Sequence, residues 1–364
     1  MSLNCGIVGL PNVGKSTIFS LLTSTPVEIA NYPFCTIEPN VGIVNVPDER
    51  LDNISKLVPA KKVIPAVTEF VDIAGLVKGA SKGEGLGNKF LSSIREVGII
   101  AHVVRCFDDK DIVHTTGAID PKGDIDIINL ELILSDLDTV QKRYEKESKQ
   151  SRLVKDKSSA LDTYKKAIDC LENEKPLRSI EWTDDELKIL SSLFLITLKP
   201  VIYVCNVDEN SINTGNAYSD VVKEIAKSEN QEMVLVSAKI ESEIASLSSE
   251  DEKKEMREML GIESSSLSHL IKSAYHTLGL RTFFTVGPDE DRAWTFKNGM
   301  TAPECAGIIH TDFQKGFIKA EVYSYNDLVE YKSESEIKKK GLLRLEGKEY
   351  VMKDGDVVFF KFNT

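Results

Sequence analysis

The chain has 364 residues, of which 41% are hydrophobic and 28% charged, and its formal net charge is −12. This composition is typical of a globular protein with two or three domains and excludes a disordered or fibrous chain. The acidic balance argues against general nucleic-acid binding and specific DNA binding, and no apolar run is long and unbroken enough to predict a membrane span.

The N-terminal part of the chain alternates strand-like and helix-like segments, which predicts an α/β domain with a mainly parallel sheet. The predicted strands are Asn4–Val8, Val67–Asp72, Ile99–Phe107, Val201–Asn206 and Met233–Ser237. Each is short, rich in β-branched residues and followed by loop-forming residues. We expect this domain to comprise residues 1–125 and 196–278, with residues 126–195 as an insertion.

The insertion is predicted to be helical, because apolar residues recur at helical spacing in two stretches. These residues are Leu130, Ile133, Leu134, Leu137 and Val140, and then Leu161, Tyr164, Ile168 and Leu171. Two such helices can form an antiparallel coiled-coil arm, or they can pack as one helical subdomain without an arm. Between positions 142 and 169, nine Lys and Arg face five Asp and Glu, so this stretch could dock on RNA.

The sequence changes again after Gly279, with short strand-like segments separated by turns. Strands are predicted at Thr282–Val286, Trp294–Phe296, Gly316–Val322 and Val357–Phe362, and a helix at Ala302–Phe313. Residues 279–364 are therefore expected to form a separate, small, strand-rich domain.

The segment Gly9–Ser16 matches G-x-x-x-x-G-K-[ST] between a predicted strand and a helix over Thr17–Leu22. The glycines allow successive backbone N–H groups to surround phosphates, and the helix N-terminus adds its positive dipole end. Lys15 would contact the β- and γ-phosphates as a catalytic cation. The residues predicted to bind the nucleotide phosphates are Asn12, Val13, Gly14, Lys15, Ser16 and Thr17.

Three oxygen ligands are predicted for Mg²⁺: the Ser16 hydroxyl, Thr36 in the following loop, and Asp72 acting through a water molecule. Gly75 is placed to donate its backbone N–H to the γ-phosphate. Asn12 could offer its side-chain oxygen to K⁺ beside the phosphates, although capping of the loop explains an asparagine there equally well.

Leu76 follows Gly75 at the position where Ras-like enzymes place the glutamine that orients the attacking water. An aliphatic side chain cannot orient water, so hydrolysis requires another group or a partner. His114 follows the third predicted strand and is the candidate for this role; the alternative is a surface or structural histidine.

The base-reading segment is expected at Asn206-Val207-Asp208-Glu209, where a GTPase carries Asn-Lys-x-Asp. In that motif the aspartate accepts hydrogen bonds from guanine. Here Glu209 displaces the carboxylate by one methylene and Val207 replaces the lysine, which favours adenine. Asp208 in a shifted register could still restore guanine binding. Ser237 begins the Ser-Ala-Lys segment, which is placed for a backbone contact to the base.

Six cysteines are scattered without a Cys-x-x-Cys pair, and the N-terminus lacks a secretory signal. This pattern predicts a cytoplasmic protein with neither disulfides nor a zinc site. Cys35, beside Thr36, is either redox-active or a bystander thiol.

On these motifs the chain resembles the Obg-like ATPase (YchF) family of P-loop NTPases. The resemblance rests on the segments at 9–17, 31–40 and 71–88, on Asn206 with Glu209, and on the C-terminal segment from Tyr350. It implies a Ras-like G domain, an inserted coiled-coil arm and a C-terminal TGS domain of β-grasp type. It also implies ATP as substrate, association with the ribosome or its large subunit through rRNA, and a hydrolytic histidine at the position of His114.

The resulting expectation is a Mg²⁺-dependent ATPase that acts as a nucleotide-controlled switch. Two alternatives remain open. One is a GTPase assembly factor that uses Asp208. The other is a nucleotide-sensing adaptor for ribosomes or RNA, in which hydrolysis is incidental.

Overall fold

A computed structural model of the chain describes residues 3–24, 40–73, 86–109, 119–151, 158–262 and 264–363. These residues form two compact units: residues 1–42 with 69–274, and residues 43–68 with 275–364. The second unit thus combines the C-terminal region with a segment from the N-terminal part of the chain. No helix within the described ranges is long and apolar enough to cross a membrane.

The strands in chain order are β1 Asn4–Val8, β2 Val41–Asn45, β3 Lys62–Ile64, β4 Val67–Asp72, β5 Ile99–Cys106, β6 Val201–Val207, β7 Glu232–Val236, β8 Leu280–Thr285, β9 Glu290–Lys297, β10 Phe317–Ser324, β11 Arg344–Glu346 and β12 Asp356–Phe362. The helices are α1 Lys15–Leu22, α2 Glu49–Leu57, α3 Leu86–Glu96, α4 Pro121–Ser151, α5 Ser158–Glu172, α6 Asp184–Ser191, α7 Ala217–Ser228, α8 Ala238–Ser246, α9 Glu250–Met259, α10 Ser266–Thr277, α11 Ala302–Ile309, α12 Thr311–Lys315, α13 Tyr325–Tyr331 and α14 Glu334–Lys339.

The first sheet has the strand order β2-β4-β1-β5-β6-β7, and the pairs β1–β4, β1–β5, β5–β6 and β6–β7 are all parallel. Every residue of β5 and β6 is buried, as expected for central parallel strands covered on both faces. The predicted α/β class is confirmed, and the five predicted strands match β1, β4, β5, β6 and β7 to within a residue at either end. The carboxyl ends of β1, β5, β6 and β7 consequently lie along one edge of the sheet.

Two polar side chains of β5 are buried among these apolar strands. His102 packs beside Tyr203, with 5.7 Å between the ring centroids, and burial lowers the pKa of its imidazole to about 3. His102 is therefore a neutral residue of the core. Arg105 donates hydrogen bonds to the carbonyls of Phe107 (3.2 Å) and Asp109 (3.1 Å) and so organises the loop that leaves β5.

The inserted helices α4, α5 and α6 share one apolar cluster, in which Ile133, Val140, Tyr164 and Leu190 are buried. Of the predicted apolar stripe on α4, Leu130 and Leu134 instead remain well exposed. Asp136 on α4 is fully buried and accepts hydrogen bonds from the backbone of the segment before β6, at Ile196 N (3.0 Å) and Thr197 N (2.7 Å). The insertion thus has a helical core of its own, and the coiled-coil arm stays a prediction.

The second sheet has the order β11-β10-β12-β8-β9-β3. Its core contains Phe283, Phe296, Val322 and Phe360 together with residues of α11. The four predicted C-terminal strands correspond to β8, β9, β10 and β12, and the predicted helix is divided into α11 and α12. The N-terminal segment contributes β3, which pairs in parallel with β9, and α2, whose Arg50 forms an ion pair with Asp354 at 2.8 Å.

Candidate functional site

The loop between β1 and α1 has the backbone geometry of a phosphate-binding loop. Asn12 and Gly14 have φ values of 63° and 94°, both in the left-handed region, and Gly14 caps α1 at its N-terminus. A Cβ atom on Gly14 would collide with the Asn206 side chain, and one on Gly9 would lie 2.8 Å from the carbonyl oxygen of Val103. Glycine at both positions is therefore required by close packing, and at Gly14 by φ as well.

Lys15 and Asp72 face each other across this loop. The Lys15 ammonium forms an ion pair with Asp72 Oδ1, and the two side chains are only 11% and 25% exposed. Ser16 and Thr17 lie exposed in the first turn of α1. The structure therefore brings the cation and the carboxylate of the predicted phosphate and metal site into contact, and Ser16 follows Lys15 in the same helical turn.

Asn206 connects three segments of the chain at the carboxyl edge of the first sheet. Its side chain is buried, donates through Nδ2 to the carbonyl of Val13 (3.0 Å), and accepts at Oδ1 from the backbone N–H of Ala238 (3.1 Å). The phosphate loop, the end of β6 and the start of α8 are thus held by one carboxamide. The sequence predicts that Asn206 helps to form the base site, and the bridge between these segments is a finding of the structure.

The two carboxylates after β6 have different partners. Asp208 accepts from Ser211 Oγ at 3.0 Å with both oxygens and from Asn210 N at 3.0 Å, so it closes its own turn. Glu209 instead forms an ion pair with Lys239, and hydrogen bonding to that lysine lowers the pKa of the Glu209 carboxyl. Glu209 thus directs its carboxylate to a side chain of helix α8, whereas Asp208 bonds within the segment between β6 and α7.

Val207 and Ser237 are both buried. Val207 is the last residue of β6, and the residue is 2% exposed. Ser237 is the N-cap of α8, where its hydroxyl accepts a hydrogen bond from Ile240 N. Ser237 thus has a helix-capping role that its place in Ser-Ala-Lys did not predict.

Several predicted site residues lie outside the described ranges: Thr36, Gly75, Leu76 and His114, together with Cys35. The sequence places Lys239 in the Ser-Ala-Lys segment but predicts no role for its side chain, and it does not assign Ser211 to the site. The Asx-x-x-Ser spacing of Asp208 and Ser211 is a usual turn signal and could have identified Ser211.

Among the described residues, no group of three or more His, Cys, Asp or Glu side chains is arranged to hold a metal.

The chain resembles known proteins over its whole length. A family model described as "50S ribosome-binding GTPase" matches residues 4–133, and the YchF-GTPase_C model, described as a protein of unknown function, matches residues 280–363. The chain is 54% identical to the ribosome-binding ATPase YchF of Bacillus subtilis (strain 168) and 48% identical to that of Escherichia coli O157:H7, in both cases over 100% of each chain.

A solved structure agrees with these relatives. The Schizosaccharomyces pombe YchF GTPase is 39% identical, with a TM-score of 0.87 over 99% of this chain and 98% of that one. Identity of this level over the full length, together with a shared fold, shows common family membership. The chain belongs to the YchF family of P-loop NTPases.

Proposed function

We propose that this chain is a Mg²⁺-dependent ATPase whose nucleotide state controls its association with the ribosome. The observation that carries the proposal is the Asn206 side chain, which hydrogen-bonds the phosphate-binding loop at Val13 and the start of α8 at Ala238. Asn206 begins the segment that we propose to read the base, and this segment differs from the guanine-binding motif Asn-Lys-x-Asp. The names of the bacterial relatives, ribosome-binding ATPases, support the same activity.

The residues at the phosphate loop fit a nucleoside triphosphate. The left-handed Asn12 and Gly14 turn the loop so that its N–H groups can surround phosphates. Lys15 carries the charge that would meet the β- and γ-phosphates, and its pairing with Asp72 keeps the cation beside a carboxylate suited to Mg²⁺. Bound Mg²⁺ would neutralise charge on the phosphates, and we assign its ligation to Ser16, Asp72 and Thr36.

The groups around the base position favour adenine. The Asp208 carboxylate is held by Ser211 and Asn210, which disfavours the guanine-binding register. The Ala238 N–H already donates to Asn206, so it is not a free donor for the O6 oxygen of guanine. Glu209 offers an acceptor at the rim of the site, which suits the amino group of adenine. Val207, buried at the end of β6, is assigned to the wall of the base pocket, and Ser237 to its floor.

The first prediction concerns the base, since the S. pombe relative is titled a GTPase and the bacterial relatives ATPases. We expect the chain to bind ATP at least about tenfold more tightly than GTP, because guanine would leave polar groups unpaired. Titration of both nucleotides in the same buffer with Mg²⁺ measures the ratio. Equal or reversed affinities would favour the GTPase hypothesis.

The second prediction concerns hydrolysis. Leu76 cannot orient water, and we propose His114 for this role. The variant His114→Ala is expected to hydrolyse ATP about 100-fold more slowly with unchanged ATP affinity, the range typical for loss of one acid–base or water-positioning group. Single-turnover phosphate release beside an ATP titration separates the two effects. Unchanged turnover would mean that His114 has a structural role.

Gly75 is proposed to donate its N–H to the γ-phosphate.

The proposed partner is the ribosome or its large subunit, with rRNA contacted through the basic stretch of residues 142–169. A contact of this type weakens as salt rises, because counterions are released when phosphates are neutralised. Co-sedimentation with ribosomes at increasing salt tests this, and salt-insensitive binding would contradict a mainly electrostatic contact. The TGS character of the C-terminal region, the coiled-coil arm and a cytoplasmic location belong to the same proposal.

A role for K⁺ at Asn12 also stays a proposal. Its left-handed backbone supplies a conformational reason for asparagine, which favours the loop-forming alternative. Equal hydrolysis rates in potassium and sodium buffers would exclude a K⁺ requirement.

A further inference from the structure

An ion pair joins the turn after β6 to the first turn of α8 at the proposed base site. Glu209 lies in the turn that follows β6, and Lys239 lies in the first turn of α8, next to Ala238. Ala238 donates to Asn206, which in turn bonds the phosphate loop. The Glu209–Lys239 pair therefore stands at the carboxyl ends of two neighbouring parallel strands, where open α/β sheets bind their ligands.

Stability alone does not account well for this pair. Glu209 is 37% and Lys239 68% exposed, and ion pairs this exposed contribute little to folding. Glu209, and more weakly Glu243 and Asp109, raise the pKa of the Lys239 ammonium, which therefore stays charged at neutral pH. The site thus keeps a hydrogen-bond donor and an acceptor side by side and accessible to a ligand.

Adenine has the complementary pattern on its Watson–Crick edge. Its N6 amino group donates, and the adjacent N1 atom accepts. At the same two positions guanine carries an acceptor, O6, and a donor, N1–H. Because the Ala238 N–H is already bonded to Asn206, the group that meets position 6 of the purine is expected to be an acceptor.

We propose that Glu209 and Lys239 separate on nucleotide binding and together read the adenine edge, Glu209 accepting from the N6 amino group and Lys239 donating to N1. Guanine would then oppose O6 to the carboxylate and N1–H to the ammonium. Lys239 is thereby a specificity-determining residue of the ATPase. This inference rests on the proposed function, since it requires that the chain binds ATP.

The test compares ATP with two analogues that each lack one group. In 1-deaza-ATP a C–H replaces N1, and purine riboside triphosphate lacks the amino group. We expect the unmodified chain to bind each analogue about tenfold more weakly than ATP, as expected for the loss of one hydrogen bond to a charged group. Calorimetric titration with Mg²⁺ present gives the three affinities.

The variants Lys239→Met and Glu209→Met assign each contact. Lys239→Met keeps the aliphatic stem, and we expect it to bind ATP about tenfold more weakly and to bind 1-deaza-ATP as well as ATP. Glu209→Met should lose the distinction between ATP and purine riboside triphosphate instead. Lys188→Met is the matched control, since Lys188 is also exposed and paired, with Asp185 at 3.0 Å, but on α6. Its affinities should equal those of the unmodified chain.

An unchanged ratio of ATP to 1-deaza-ATP affinity in Lys239→Met overturns the inference. Equal binding of ATP and 1-deaza-ATP by the unmodified chain overturns it as well. Failure of the proposed function looks different: the unmodified chain would bind ATP no better than GTP, or would not hydrolyse it. Because both side chains are exposed, unfolding temperatures within a degree or two of the unmodified chain are expected, and they confirm that the variants are folded.

Discussion

The variant Lys15→Met is expected to lower the rate of ATP hydrolysis by about 100-fold or more while leaving the protein folded. Lys15 is the cation at the phosphate loop, and charge stabilisation of a transferring phosphoryl group depends on such a group. Methionine keeps most of the stem but removes the ammonium. Its loss leaves the largely buried Asp72 without its ion-pair partner, which should lower the free energy of unfolding by about 1–3 kcal/mol.

Single-turnover release of phosphate measures the rate, and thermal unfolding measures the stability. Lys223→Met, at an exposed position of α7, is the control for loss of a surface lysine and should hydrolyse ATP normally. Hydrolysis by Lys15→Met within a few-fold of the unmodified rate would show that the loop does not hold the reacting phosphate.

The same variant separates a switch from an adaptor. If nucleotide state controls ribosome association, co-sedimentation of the unmodified chain should differ between ATP and ADP, and Lys15→Met should lose that difference. If hydrolysis is incidental, a variant that binds ATP without hydrolysing it retains full biological function. Complementation of a strain that lacks the protein distinguishes the two outcomes.

The central sheet could be predicted from the sequence because its strands are local features. Each of β1, β4, β5, β6 and β7 is a short apolar run followed by loop residues, and covered parallel strands need no further pattern. Grouping of residues 43–68 with the C-terminal region could not be predicted in this way. The pairing of β3 with β9 joins residues more than two hundred positions apart, and no local pattern reports such a partner.

The candidate site, too, could be predicted from the sequence only in part. Lys15 and Asp72 were predictable because each lies in a motif whose place at the end of a strand is set by the fold. The roles of Asp208 and Glu209 were not, although they are adjacent, because the direction of each side chain depends on the turn that follows β6. Asp208 bonds within that turn, and Glu209 reaches a lysine thirty residues later in the chain.

Asn206 is buried at the end of β6 and also hydrogen-bonds the phosphate loop. The variant Asn206→Ala should therefore reduce both the stability of the protein and its affinity for ATP. The substitution removes the partners of the Val13 carbonyl and the Ala238 N–H, which the buried carboxamide now satisfies. Leaving two backbone groups unpaired in a buried position is expected to reduce the free energy of unfolding by about 2–4 kcal/mol. The phosphate loop also loses its brace to β6, so ATP affinity should fall by about tenfold or more.

Asn206→Asp resolves which of the two hydrogen bonds matters for binding. Aspartate can still accept from Ala238 N–H but cannot donate to Val13 O, and its charge would face that carbonyl oxygen. ATP affinity as low as in Asn206→Ala would assign the effect to the bond with the phosphate loop. Asn213→Ala is the matched control, since this exposed asparagine donates only at the surface, to Leu260 O at 3.1 Å, and should change stability by less than about 0.5 kcal/mol. Denaturant unfolding with and without ATP measures both quantities, and an unaltered ATP affinity in Asn206→Ala would mean that the phosphate loop keeps its shape without this bridge.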